Sequence, residues 1–167
     1  MSLYIFDKDG TLLQHVRSQV GAKRSPLRPE EQVLRPVVFE RLAALRADGH
    51  AIGLASNQGI VARGLISLEE AEKLMENCAA KVGGVNAYRF SPYSPHAKKV
   101  RDGKPNPYAR DDPTRKPRPG MILELMNELG FAPADAWMIG DSKLDREAAH
   151  AAGVWFMRAS RFFLGYR

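Results

Sequence analysis

Cysteine is nearly missing from this chain. Cys78 is the only one among 167 residues, which excludes an intrachain disulfide and any zinc site built from several thiolates. No apolar run approaches the roughly 20 residues a membrane helix needs. Asp7, Lys8 and Asp9 interrupt the N-terminal segment before a signal-peptide core forms, so a cytoplasmic protein with no membrane partner is expected. There is no Walker loop, no Gly-x-Gly-x-x-Gly, no Gly-x-Ser-x-Gly and no His-Glu-x-x-His. The acidic turn at Asp7 is not a calcium loop, because its sixth and twelfth positions are Leu12 and Ser18 rather than Gly and Glu. What is present is a chain 44% hydrophobic and 26% charged, enough for one buried core over residues 1–167.

The formal charge is +6, and it is unevenly placed. Leu13 to Pro36 carries +3, Ala97 to Pro119 carries +5, and the remaining chain is slightly acidic. The stretch from Pro92 to Pro119 holds seven of the eleven prolines, and neither basic segment shows apolar periodicity, so both read as loops. Elsewhere apolar runs alternate with helical patterns. Leu3 to Phe6, Ala51 to Ala55, Ala87 to Phe90, Ala136 to Ile139 and Val154 to Met157 read as strands. Helices are expected over Val37 to Ala47, from the capping box Ser67/Glu70 to Val82, over Met121 to Leu129 before Gly130, and over Leu144 to Ala152 before Gly153. Cys78 falls on the apolar stripe of the second helix, where packing is its expected role. Strands alternating with helices imply right-handed crossovers and a parallel sheet covered on both faces. In such sheets ligands bind at the carboxyl ends of the strands.

Those ends read Asp7-Lys8-Asp9-Gly10-Thr11, then Ser56-Asn57, then Gly140-Asp141-Ser142 with Asp145 beyond, while Lys116 precedes the third long helix. Asp7 and Asp9 lie two residues apart on extended backbone and point the same way, and Asp141 arrives from another strand. Three carboxylates at one point repel unless protons or a cation intervene, and hard oxygen ligands suit Mg²⁺. A hydroxyl, an ammonium and a magnesium site facing one cavity form an arrangement for holding a phosphoryl group. Each piece alone has a plainer reading: an acidic turn, a strand-end cap, a solvated base, a helix N-cap. Their order at successive strand ends separates the set from those readings.

In these motifs the chain resembles the haloacid dehalogenase superfamily, from Leu3 to about Met157. The resemblance implies a Rossmann-like three-layer α/β/α sandwich with a parallel five-stranded sheet of order 5-4-1-2-3. It implies Asp7 as nucleophile forming an aspartyl phosphate, Asp9 as general acid and base, and Mg²⁺ held by Asp7, the Asp9 carbonyl and Asp141. Ser56 and Lys116 would hold the transferring oxygens, with Thr11 and Asp145 in support, Asp145 by orienting Lys116 or metal-bound water. Ser56-Asn57-Gln58-Gly59-Ile60-Val61-Ala62-Arg63-Gly64 and Arg115-Lys116-Pro117-Arg118-Pro119-Gly120-Met121 resemble loops of the small IIIA-type phosphatases, which act on heptose bisphosphate, histidinol phosphate or polynucleotide 3′ ends. Only 46 residues separate Asp9 from Ser56 and 59 separate Ser56 from Lys116, too few for a separate cap domain.

The heptose bisphosphate phosphatases usually carry a structural zinc on three cysteines and a histidine. Here His96 is kept, but Ser94, Asp112 and Thr114 stand at the cysteine positions, so no closed zinc site is expected. The expected substrate is a small phosphorylated metabolite, with Asn57, Arg63 and Arg115 as contacts. His15 and Arg17 follow the first motif, where such proteins have a flap. An alternative is a 3′-phosphatase for nucleic-acid ends, with Tyr93 and Tyr108 stacking bases; another is a non-catalytic phosphate sensor. Oligomeric state is open at this stage, and the aromatic segment Arg158 to Arg167 is expected to pack on the sheet.

Overall fold

The computed structural model describes residues 1–17 and 21–164. Five strands form one all-parallel sheet: β1 (Leu3–Phe6), β2 (Ala51–Asn57), β3 (Ala87–Ser91), β4 (Ala136–Gly140) and β5 (Trp155–Arg158), in the order β3-β2-β1-β4-β5. Leu3 of β1 pairs with Ala51 on one side and Ala136 on the other. The chain therefore winds outward from β1 in one direction and then returns to β1's free edge through β4. That reversal opens a crevice at the carboxyl ends of β1 and β4, where an open α/β sheet takes its ligand. Asp7 follows β1 directly, and Asp141 follows β4 directly.

Alternation along the strands divides the core into two layers. Leu3 and Ile5 join Met138, Ile122, Leu125 and Ala148 beneath α3 (Gly120–Leu129) and α4 (Lys143–Ala152). Phe6 joins Ile52, Leu54, Ile139 and Phe162 beneath α1 (Val38–Ala47), α2 (Leu68–Lys81) and α5 (Ala159–Leu164). Cys78 is wholly buried in this second layer, and burial pushes its thiol up to about 12, so it packs rather than reacts. Both hydrogen bonds of the Ser67/Glu70 capping box are formed at α2, and Gly130 and Gly153 close α3 and α4 in the left-handed conformation.

Two segments differ from the sequence expectation, while the described part of the aromatic tail packs on the sheet as expected. The two basic loops each contain a small hairpin, Val16–Arg17 with Lys23–Arg24 and Val100–Arg101 with Lys104–Pro105, and the first adds a 3₁₀ turn at Pro29–Glu31. Strands of two residues are too short to show alternation. Phe162 and Phe163 lie on α5, a helix of six residues that packs its buried Phe162 edge-on against Phe6 at 5.4 Å. Tyr166, the other aromatic of that tail, lies outside the described residues.

Candidate active site

Lys116 occupies the centre of the crevice and is 3% exposed. Its Nζ donates to Asp7 Oδ1 at 2.8 Å, Asp145 Oδ1 at 2.6 Å and the Ala55 carbonyl at 2.7 Å, so three acceptors meet three ammonium hydrogens. Burial works against the charge on Lys116, but the two carboxylates outweigh it and the net displacement is upward. Asp7 is pushed up to about 7, chiefly by burial, with Asp145 and Asp9 adding repulsion that Lys116 only partly offsets. Asp145 is fixed from behind, because its Oδ2 accepts from the Ser142 backbone at 3.0 Å and the Ser142 hydroxyl at 2.6 Å as the capping box of α4.

Asp7, Asp141 and Asp145 place carboxylate oxygens within 4.8 Å of one another. Asp7 and Asp141 line a cavity of about 280 Å³ that also receives Asp9, Ser56 and Lys116. Asp141 is raised by burial and by Asp145, which outweigh His15, 3.9 Å from its Oδ2, and Lys116. Hard oxygens converging on a common point suit a divalent cation of the Mg²⁺ kind. Asp145 has both oxygens engaged by Lys116 and Ser142, which favours Asp7 and Asp141 as the ligating side chains. A larger cavity of about 640 Å³ runs along β3 and contains none of these residues, so size alone does not locate the chemistry.

The remaining expected residues fall into place less uniformly. Thr11 is buried but not on the cavity wall, and its hydroxyl has no protein partner among the described residues. Asn57 reaches the cavity, yet its amide is engaged at both ends by the main chain of Lys116: Nδ2 donates to the Lys116 carbonyl at 2.9 Å and Oδ1 accepts from the Lys116 N–H at 3.0 Å. Arg115 is half-buried, donates to the Tyr93 carbonyl at 2.7 Å, and lines a neighbouring cavity of about 270 Å³ that shares Lys116 with the first. Arg63 is exposed and lies near enough to depress Arg115, second only to burial. His15, Arg17, Lys23 and Arg35 surround a further cavity of about 330 Å³ that shares His15 and Asp141 with the first. Both basic loops thus border the acidic centre.

At the positions considered for zinc, Asp112 is buried and its Oδ1 accepts from the Thr114 N–H at 3.0 Å and the Thr114 hydroxyl at 2.6 Å, which hold its carboxyl down against burial. The Thr114 hydroxyl is also 3.2 Å from Ser91 Oγ, so polar contacts tie this loop to the end of β3. Tyr93 and Tyr108 pack against each other at 5.9 Å, with the Arg110 guanidinium over Tyr93 at 4.4 Å. Two contributors escaped the sequence reading. Lys8 is fully buried and donates to Asp9 Oδ1 at 2.6 Å, and Gln58 is 1% exposed and contacts Asp9 Oδ2 at 3.2 Å. A lysine between two aspartates at the end of an apolar strand was the available signal for the first.

Residues 108–159 match the haloacid dehalogenase-like hydrolase family. The chain is 31% identical over 121 residues to the D-glycero-beta-D-manno-heptose-1,7-bisphosphate 7-phosphatase of Yersinia pestis, covering 70% of this chain and 61% of that protein. It thus spans about three fifths of that relative's length. The protein of the same name in Pseudomonas putida is 30% identical over 157 residues, covering 92% of this chain and 79% of the relative. Among solved structures, the D,D-heptose 1,7-bisphosphate phosphatase of B. bronchiseptica complexed with magnesium and phosphate is 27% identical, with a TM-score of 0.73 and coverage of 100% of this chain and 87% of that one.

Proposed function

Since this chain belongs to the haloacid dehalogenase-like hydrolases, we propose that it is a phosphomonoesterase working through an aspartyl phosphate on Asp7, with a sugar bisphosphate of the heptose 1,7-bisphosphate class as substrate. The observation that carries this reading is the buried Lys116 joined to both Asp7 and Asp145 within reach of Asp141. Asp7 attacks phosphorus while the bond to the leaving oxygen breaks and Asp9 delivers a proton to that oxygen. Water then attacks the same phosphorus, Asp9 takes its proton, and Asp7 is released with inorganic phosphate. Lys116 and Ser56 stabilise the transferring oxygens from fixed positions, at no reorganisation cost during the step. Mg²⁺ held by Asp7, Asp141 and the Asp9 main-chain carbonyl supplies positive charge against the same oxygens when bound.

The cavity beside Lys116 supports a substrate with a second anionic group. Arg115 and His96 line it, Arg63 stands close by, and Arg118 there is paired with Asp111. A guanidinium without a carboxylate partner suits a phosphate. Asn57 contributes by clamping Lys116. Tyr93 packs against Tyr108 and carries the Arg110 guanidinium over its ring, so its contacts are made within the loop itself. Initial rates with Mg²⁺ on heptose 1,7-bisphosphate, histidinol phosphate and a 3′-phosphorylated oligonucleotide test the assignment. The bisphosphate should be preferred, and Asp7→Asn should abolish turnover. Faster hydrolysis of the oligonucleotide would sink the substrate class, and an active Asp7→Asn variant would sink the nucleophile.

A further inference from the structure

Gln58 has no role in the mechanism above, yet its side-chain amide touches two of the groups that do. Nε2 donates to Ser56 Oγ at 2.8 Å and to Asp9 Oδ2 at 3.2 Å. The residue is 1% exposed, and its backbone is pinned by a hydrogen bond from its N–H to the Ser91 carbonyl at 2.8 Å and one from the Val61 N–H to its own carbonyl at 3.0 Å. Its Oε1 is buried with no protein partner among the described residues. Turning the amide over would set Oε1 against the Asp9 carboxylate, acceptor against acceptor. With Asp9 Oδ1 held by Lys8, the ionised Asp9 that awaits the proton of the attacking water accepts at Oδ2, and the NH₂ group is the end of Gln58 that faces it.

This orientation has a consequence for Ser56. A hydroxyl carries one hydrogen and two lone pairs, and Gln58 occupies one lone pair. The hydroxyl hydrogen is therefore turned away from Gln58, and Ser56 lines the same cavity as Asp7 and Lys116. We propose that Gln58 is a positioning residue that sets Ser56 as a donor toward the phosphoryl oxygens, its direction dictated by the Asp9 carboxylate across the same amide. One side chain thus ties the phosphate-binding hydroxyl to the acid/base residue. The inference rests on the phosphatase reading of the site.

A double-mutant cycle tests it, with p-nitrophenyl phosphate and Mg²⁺ as substrate and cofactor. Gln58→Leu should lower kcat/KM roughly tenfold in the native background and less than about twofold in Ser56→Ala, because the direction of an absent hydroxyl no longer matters. Gln58→Glu keeps the shape but places an acceptor beside Asp9 and Ser56, and should weaken orthovanadate binding by calorimetry about as much as Ser56→Ala does. Thermal melts establish that each variant is folded. Equal losses in both backgrounds would overturn the proposal in favour of an effect through Asp9 or packing, as would undiminished vanadate affinity in Gln58→Glu. A native protein that neither turns over the ester nor binds vanadate would instead remove the phosphatase reading, and this inference with it.

Discussion

Asp7 should make the metal-free protein less stable as the pH rises, and substituting it should remove that penalty. Burial, with Asp145 and Asp9 adding repulsion, moves its pKa from 3.8 to about 7. Below about pH 4 the carboxyl is protonated in both folded and unfolded chains and contributes nothing. Above about pH 7 it is ionised in both, and the folded chain carries the whole penalty, on the order of 4 kcal/mol. About 3 kcal/mol of this falls between pH 5 and pH 8. For a chain of this size that corresponds to roughly 6–12 °C in Tm. Melting curves by circular dichroism with a chelator, at pH 5 and pH 8, should show Asp7→Asn gaining on the native protein by that amount, since asparagine cannot ionise and still accepts from Lys116. Groups remote from Asp7 titrate alike in both proteins and cancel; Asp9, Asp145 and Lys116, which interact with it, do not, so the sign of the change with pH is the test. Millimolar Mg²⁺ at pH 8 should then raise the Tm of the native protein more than that of the variant. A gap that stays constant or narrows with rising pH would refute the electrostatic account of Asp7.

Other expectations follow from the same contacts. Lys116→Met leaves Asp7 and Asp145 buried without their cation and should cost about 3–5 kcal/mol by denaturant titration, along with loss of turnover. Gly10 has φ +90°, and a Cβ there would lie 2.3 Å from Asp141 Oδ2, so Gly10→Ala should weaken Mg²⁺ binding at least about tenfold by calorimetry. Ser67→Ala breaks the α2 capping box and should cost about 1 kcal/mol with kcat/KM unchanged. Glu31 is held down to about 2, first by Arg24 and then by the Leu27 N–H. Its contribution is complete above about pH 4.5 and is lost as the pH falls through about 2. Arg24→Ala should therefore cost about 1 kcal/mol at pH 7, with the loss fading in acid.

The sheet was legible because its strands are short apolar runs ending in polar turns, and the helices because Ser67, Gly130 and Gly153 mark their ends. The convergence of Asp7, Asp9, Ser56, Lys116 and Asp141 on one cavity follows from strand order, and parallel topology turns separation in sequence into adjacency at the carboxyl edge. The small hairpins were not legible, because two residues per strand carry no period. Nor was the state of Asn57 and Gln58, because their partners come from distant parts of the chain: Asn57 bonds to a residue 59 positions away and Gln58 to one 49 away. A motif names residue types, but whether an amide faces a ligand or a neighbouring main chain is decided by tertiary packing. Asp112 and Thr114 show the same limit, since the loss of thiolates was visible but the hydrogen bonds between these residues were not.

The clamp between Asn57 and Lys116 bears on how such a protein can diversify. Two opposed hydrogen bonds from one amide attach the lysine's backbone to the tip of β2, as a strand partner would. The ammonium therefore takes its position from the sheet rather than from the long basic loop that precedes it. That loop is free to lengthen, shorten or exchange its side chains while the reacting centre stays aligned. Grafting the loop of another member onto this scaffold should transfer substrate preference while leaving the intrinsic rate on a minimal phosphate ester nearly untouched.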